Sequence, residues 1–309
     1  MKNNGDNKNT ILLGNGFSQS LFMDVPQWDE LFSNNHQKIK LDNNTLKYEA
    51  YLLRDQENDE KYKKIIVAGL VKPEMGYKKK SGVKKVNDFS RLLLEHHVKN
   101  ILTTNYDTRL ESIMSDDNGF IERRQSNEEK NQTETIYSIR RKKVFENEEG
   151  KAINIWKIHG DVDSIKSVML GYDQYCGAVA KMNEYIKGQY RSSSGINCLV
   201  HMKDKITNSS YSDISWLDLF FGTNVYIAGL GMDFAEIDLW WLLNKRARFM
   251  KDKTISVTNN IFYLYSKYDE TSNFEKKKSL LEIFGVKLIK MEPDEMFIPS
   301  LFDIIKSTS

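Results

Sequence analysis

The chain alternates short apolar bursts with longer polar stretches that carry helical spacing. Ile11-Leu12-Leu13 runs directly into Gly14-Asn15-Gly16 and Phe17-Ser18, the pattern of a buried strand passing through a tight turn into a helix. A second strand is expected over Asn100 to Thr104, where Ile101-Leu102-Thr103-Thr104 is apolar and β-branched and stops at the turn-prone Asn105, with helix resuming at Asp107. The charged segment 116–134 reads as a loop. A hairpin is expected from Thr135 to Ile158, turning at Glu146-Asn147-Glu148-Glu149-Gly150 and delivering His159-Gly160-Asp161. Asn224 to Ala228 is a further strand ending in Gly229-Leu230-Gly231, with Asp233 placed to cap an amphipathic helix that reaches about Arg248. Ile261 to Tyr265 and Val286 to Ile289 complete the alternation. Strands alternating with helices predict an α/β fold: a Rossmann-like, doubly wound, mostly parallel sheet covered on both faces.

Two stretches depart from that alternation. From Trp28 to about Glu95 the chain is long, polar and mostly helical, interrupted by the solvated, lysine-rich run Lys78 to Lys85. Tyr172 to Trp216 is again helical, with a break at Ser192-Ser193-Ser194-Gly195. Together they predict a helical insertion layer from 28–95 and 172–216. The Rossmann-like part is then 10–27, 96–171 and 217–309, all within one unit of 1–309. With 309 residues and 40% hydrophobic content, the chain can bury a full core. Lysine plus arginine number 45 against 43 acids, a formal charge of +2, so no global field implies nucleic acid or an anionic membrane. Cys176 and Cys198 form no Cys-x-x-Cys pair, so neither a disulfide framework nor a zinc site is indicated. The polar residues 1–10 lack an apolar signal core, and no run approaches the roughly 18 apolar residues that span a bilayer. A soluble cytoplasmic protein is expected.

The candidate chemistry sits at strand ends. Gly14 and Gly16 let the backbone turn sharply and let a phosphate approach helix amides, and Gly229 and Gly231 repeat the arrangement after a later strand. Gln19 stands where a full dinucleotide fingerprint has its third glycine, and a plain strand-to-helix turn would need the same residues. His159, at the end of an apolar strand, can exchange protons near neutral pH. Asn105 can donate and accept at once, which suits a ribose hydroxyl or a positioned water. Asp107 either caps its helix or orients a substrate or Asn105. There is no Gly-x-Ser-x-Gly elbow, no His-Glu-x-x-His and no Gly-Lys-Ser/Thr phosphate loop.

Read in order, Gly14-Asn15-Gly16-Phe17-Ser18, Pro26-Gln27-Trp28-Asp29-Glu30-Leu31, Thr103-Thr104-Asn105-Tyr106-Asp107, Lys157-Ile158-His159-Gly160-Asp161 and Gly229-Leu230-Gly231 resemble the motif series of the sirtuin-like family. The resemblance implies NAD bound across the carboxyl edge of the sheet and a helical insertion closing over it. It implies His159 as general base, with Asn105 and Asp107 at the nicotinamide ribose. Gly14, Asn15, Gly16 and Ser18 would form the first cofactor turn, with Thr104 a further cofactor contact, and Gly229 and Gly231 the later turn. Ser266, at the end of a late strand, is a candidate adenosine contact. Protein-deacylating sirtuins carry a four-cysteine zinc module and a Pro-Asp-Phe-Arg type segment. This chain has two unpaired cysteines and Phe22-Met23-Asp24-Val25-Pro26-Gln27-Trp28 instead. What remains is similar to the zinc-less bacterial NAD hydrolases of antiphage defence. NAD is then a substrate, giving nicotinamide and ADP-ribose. Control is expected from homo-oligomer assembly or a regulatory partner. ADP-ribosyl or acyl transfer, and a non-catalytic module sensing NAD or ADP-ribose, are the alternative expectations.

Overall fold

The computed structural model describes residues 8–26, 30–31, 39, 41, 43–55, 58–71, 76–80, 89–116, 119–126, 133–266, 269–270, 272–291 and 297–308. Residues 27–29 of the tryptophan-containing motif and 81–85 of the lysine-rich run lie outside the described residues.

The apolar bursts become the centre of one large sheet. β1 (Asn9–Leu13) lies between β2 (Val98–Thr103) and β8 (Asn224–Ala228), parallel to both, with Ile11 opposite Ile101 on one side and Tyr226 on the other. The remaining strands are β3 (Ile121–Glu122), β4 (Lys142–Glu146), β5 (Ala152–Lys157), β9 (Ile261–Tyr265) and β10 (Val286–Lys290). The sheet order is β10-β9-β8-β1-β2-β5-β4-β3, and only β4 runs against the rest, pairing antiparallel with both β5 and β3. A strand buried on both faces reads as an unbroken apolar run, which is why β1 and β8 are so plain in the sequence.

Side chains along each strand alternate between two cores. Leu12, Leu102, Trp156 and Ile227 face helices α6 (Tyr172–Ile186), α8 (Trp216–Gly222), α9 (Ile237–Lys251) and α10 (Ser272–Ile283), which contribute Met182, Tyr185, Leu217, Phe220, Leu239, Leu242 and Leu281. Ile11, Leu13, Ile101 and Ile155 face α1 (Asn15–Leu21), α4 (Phe89–Glu95), α5 (Arg109–Asp116) and the terminal helix α11 (Phe297–Thr308). Helices on both faces make the sheet doubly wound, as expected. α2 (Asn44–Asp55) and α3 (Asp59–Ala68) build a separate cluster in which Tyr48, Tyr51, Tyr62 and Ile66 pack with Tyr106, Val168 and Leu170. No helix among the described residues is long and apolar enough to cross a membrane.

Several local expectations change. The hairpin's first arm begins at Lys142, not Thr135, and the expected loop 116–134 contains the short edge strand β3. The break at Ser192 to Gly195 is the turn of a small hairpin, β6 (Tyr190–Arg191) with β7 (Asn197–Cys198), and it leads to α7 (Met202–Asn208). Asp233 does not cap α9, whose N-cap is Glu236. Its carboxylate instead accepts the Ala235 amide at 2.8 Å, closing the type of local turn aspartate favours.

Candidate active site

The winding reverses at β1: successive strands step one way through β2 and β5, then return on the other side through β8, β9 and β10. A crevice opens at the carboxyl ends where the direction changes, the usual ligand position in open α/β sheets. Both glycine turns lie there, packed backbone to backbone. Gly14 N–H donates to Ala228 O at 3.2 Å and Gly16 N–H to Gly229 O at 2.7 Å. A Cβ on Gly14 would fall 2.6 Å from Gly229 O, and one on Gly16 2.9 Å from Gly229 Cα. Gly229 has φ +62°, and its Cβ would fall 2.4 Å from Phe17 N. Only glycine fits all three positions. Gly231 differs, since nothing lies within 4 Å of its added Cβ.

The crevice is a cavity of about 510 Å³ lined by Asn15, Gly16, Thr104, Asn105, Asp107, His159, Gly229, Gly231 and Ser266 among others. Gly14 and Ser18 stand outside the lining and touch it through Asn105. The Asn105 side-chain amide donates to Gly14 O at 3.3 Å and to Ser18 Oγ at 3.1 Å, while its backbone N–H donates to Thr103 Oγ1. Among the described residues nothing donates to Oδ1, so the turn offers the cavity a fixed acceptor. Asp107 is pinned at the start of α5. Its Oδ1 accepts the Arg109 amide at 3.0 Å and its Oδ2 the Arg109 guanidinium at 2.8 Å, which favours the capping role of the two that the sequence leaves open. Beneath it the wholly buried Lys157 donates to Asp107 O and lies 3.1 Å from Glu111 Oε1. At the far end Ser266 donates to Asp269 Oδ2 from both its amide and its hydroxyl.

His159 reaches the cavity from the turn after β5, which requires glycine next: Gly160 has φ +103°, and a Cβ there would fall 2.2 Å from Ser167 O. Its two ring nitrogens both meet carboxylates, Nε2 lying 2.9 Å from Asp238 Oδ2 and Nδ1 3.5 Å from Glu236 Oε2. Tyr175 stands edge-on to the ring and donates to Glu236 Oε2 at 3.4 Å. Burial drives the imidazole toward its neutral form, but the charges of Asp238 and Glu236 outweigh it and raise the pKa to about 9. Burial, with Asp238 and Asp233 nearby, raises Glu236 to about 7, and His159 opposes the rise. His159, Glu236 and Asp238 also form a group, among the described residues, whose ligand atoms all lie within 4.8 Å of one another. Within it the 2.9 Å hydrogen bond joins His159 to Asp238. Neither cysteine belongs to it; Cys176 is exposed and Cys198 buried.

Residues 99–200 match the SIR2-like domain family model. The matched third of the chain contains the Asn105 and His159 turns and leaves both glycine turns outside it. SIR2-like domains use NAD as a substrate, so the match supports the sirtuin-like family and NAD-related enzyme chemistry in general. No curated protein matches the chain.

Sequence reasoning missed Glu236, Asp238, Tyr175 and Lys157. Acids at the start of a helix look like ordinary caps. The usable signals were Asp238 four residues before Leu242 on the buried face of α9, and a lysine closing the otherwise buried end of β5.

Proposed function

We propose that this chain hydrolyses NAD at the nicotinamide–ribose bond, releasing nicotinamide and ADP-ribose. One observation carries the reading: a single cavity at the reversal of the sheet holds the free acceptor of Asn105, the His159–Glu236–Asp238 group and a floor of two packed glycine turns. The pyrophosphate would lie over the glycine turns, the nicotinamide riboside toward Asn105 and His159, and the adenosine toward Ser266.

Departure of nicotinamide leaves positive character on the ribose. With Glu236 ionised, one imidazolium against two carboxylates leaves surplus negative charge beside that carbon, which stabilises it. Asn105 Oδ1 would hold a ribose hydroxyl or the attacking water in line. The histidine–carboxylate group would take up the proton the reaction releases. Two cysteines and no four-cysteine module favour hydrolysis over deacylation. The resemblance to antiphage NAD hydrolases supplies the setting. An uncontrolled NAD hydrolase would harm its cell, so assembly or a partner is the expected trigger.

The test incubates wild type, Asn105→Ala and His159→Ala with NAD and follows both products by chromatography. Each substitution is expected to cut turnover on the order of 100-fold or more with the fold retained. Saturable binding without product would indicate a sensor, and a covalently modified protein would indicate transfer.

A further inference from the structure

The expectation of His159 as a free base does not fit the geometry around it. A base needs a lone pair open to the substrate, and here both ring nitrogens face carboxylates at 2.9 and 3.5 Å. The His159 and Asp238 side chains are each 2% exposed, whereas Glu236 is 21% exposed and lines the cavity. One Glu236 oxygen holds His159 and Tyr175; the other receives no donor among the described residues. Asp238 lies behind the ring, its Oδ1 buried without a partner.

We infer that Glu236 is a further catalytic residue, accepting the proton of the nucleophilic water, with His159 as the cation that positions it and Asp238 as the fixed charge behind. This role rests on the hydrolase reading. The C1′–N bond breaks, and its electron pair goes to the nicotinamide nitrogen, which becomes neutral. The water oxygen bonds to C1′, and one water proton passes to the Glu236 carboxylate and then to solvent, so charge and atoms balance.

The groups that set the ionisation of Glu236 come from several elements. His159 lies at the end of β5, Tyr175 on α6, Tyr106 in the turn after β2, Asp233 in the turn after β8 and Asp238 on α9. Tyr106 and Tyr175 are buried beside Glu236 and held well above the ordinary tyrosine range, so both remain neutral. A carboxylate raised to about 7 is a much better proton acceptor than an ordinary one and still ionises at neutral pH.

The test is the pH dependence of nicotinamide release by wild type, Glu236→Gln and Glu236→Asp, with folding checked by circular dichroism. In wild type kcat is expected to rise with pH through about 7. Glu236→Gln should lower kcat on the order of 100-fold, change KM little and abolish that rise. Glu236→Asp, which keeps the carboxylate, should recover part of the rate and a displaced acid limb. Glu236→Gln turning over at the wild-type rate with its acid limb intact would overturn the role while leaving the hydrolase reading standing. Wild type that releases no nicotinamide at any pH would overturn both.

Discussion

Asp238 places one oxygen 2.9 Å from His159 Nε2 and has its other oxygen buried without a hydrogen-bond partner. The raised His159 pKa has a thermodynamic counterpart. Below its ordinary value of 6.5 the imidazole is charged in both folded and unfolded chains, and the stabilisation its raised pKa represents is present in full, with Asp238 the main attraction. As pH rises through about 9 the folded form loses that proton and the stabilisation goes with it. The loss is about 3 kcal/mol by linkage. Glu236, raised from 4.5 to about 7, contributes with the same sign at lower pH. Urea midpoints measured from pH 6.5 to 9.5 should therefore fall, and Asp238→Asn should move the fall to lower pH and shrink it. An unchanged decline in that variant would show that Asp238 does not hold the proton. At this scale His159 and Asn105 were legible because each ends a plain apolar strand, whereas Glu236 and Asp238 were hidden among acids that suit any helix start.

The elements differ in how clearly their residues announce them. β1, β8 and β9 each carry an apolar run of three or more residues, and the structure places them within two residues of expectation. β3 is two exposed residues whose pairing depends on a distant partner, which no local pattern reveals. The terminal helix α11 was not expected past the last strand. Pro299 stands in its first turn, where a missing N–H costs little, yet Phe297, Ile298, Leu301, Phe302 and Ile305 form one buried stripe. The paired glycine turns give a contrast that can be measured. Gly229→Ala must place a side chain at φ +62° and 2.4 Å from Phe17 N, so a loss of more than about 2 kcal/mol is expected from the left-handed backbone and the clash together. Gly231→Ala meets open space and should stay within about 0.5 kcal/mol of wild type. Equal unfolding midpoints for the two variants would sink this account of the turn.

On the scale of the whole molecule the cavity runs from the end of β5 to the end of β9. That is four strand spacings, or about 19 Å at the usual inter-strand distance. A ligand that fills this length should bind as one piece. ADP-ribose is expected to raise the Tm by more than AMP or nicotinamide at the same concentration, because it reaches the glycine floor and Ser266 together. Equal shifts from AMP and ADP-ribose would confine binding to one end. The doubly wound sheet and its reversal at β1 follow from the order of strands and helices. The third cluster, of α2 and α3 around Tyr106, does not: its tyrosines carry no helical stripe strong enough to name a partner.

The bond from Gly16 N–H to Gly229 O joins a turn on one winding half of the sheet to a turn on the other, with no side chain between them. That contact therefore behaves as a rigid pin across the seam. With no compressible side chain at the seam, a shift of one half is expected to carry the opposite wall of the chamber with it.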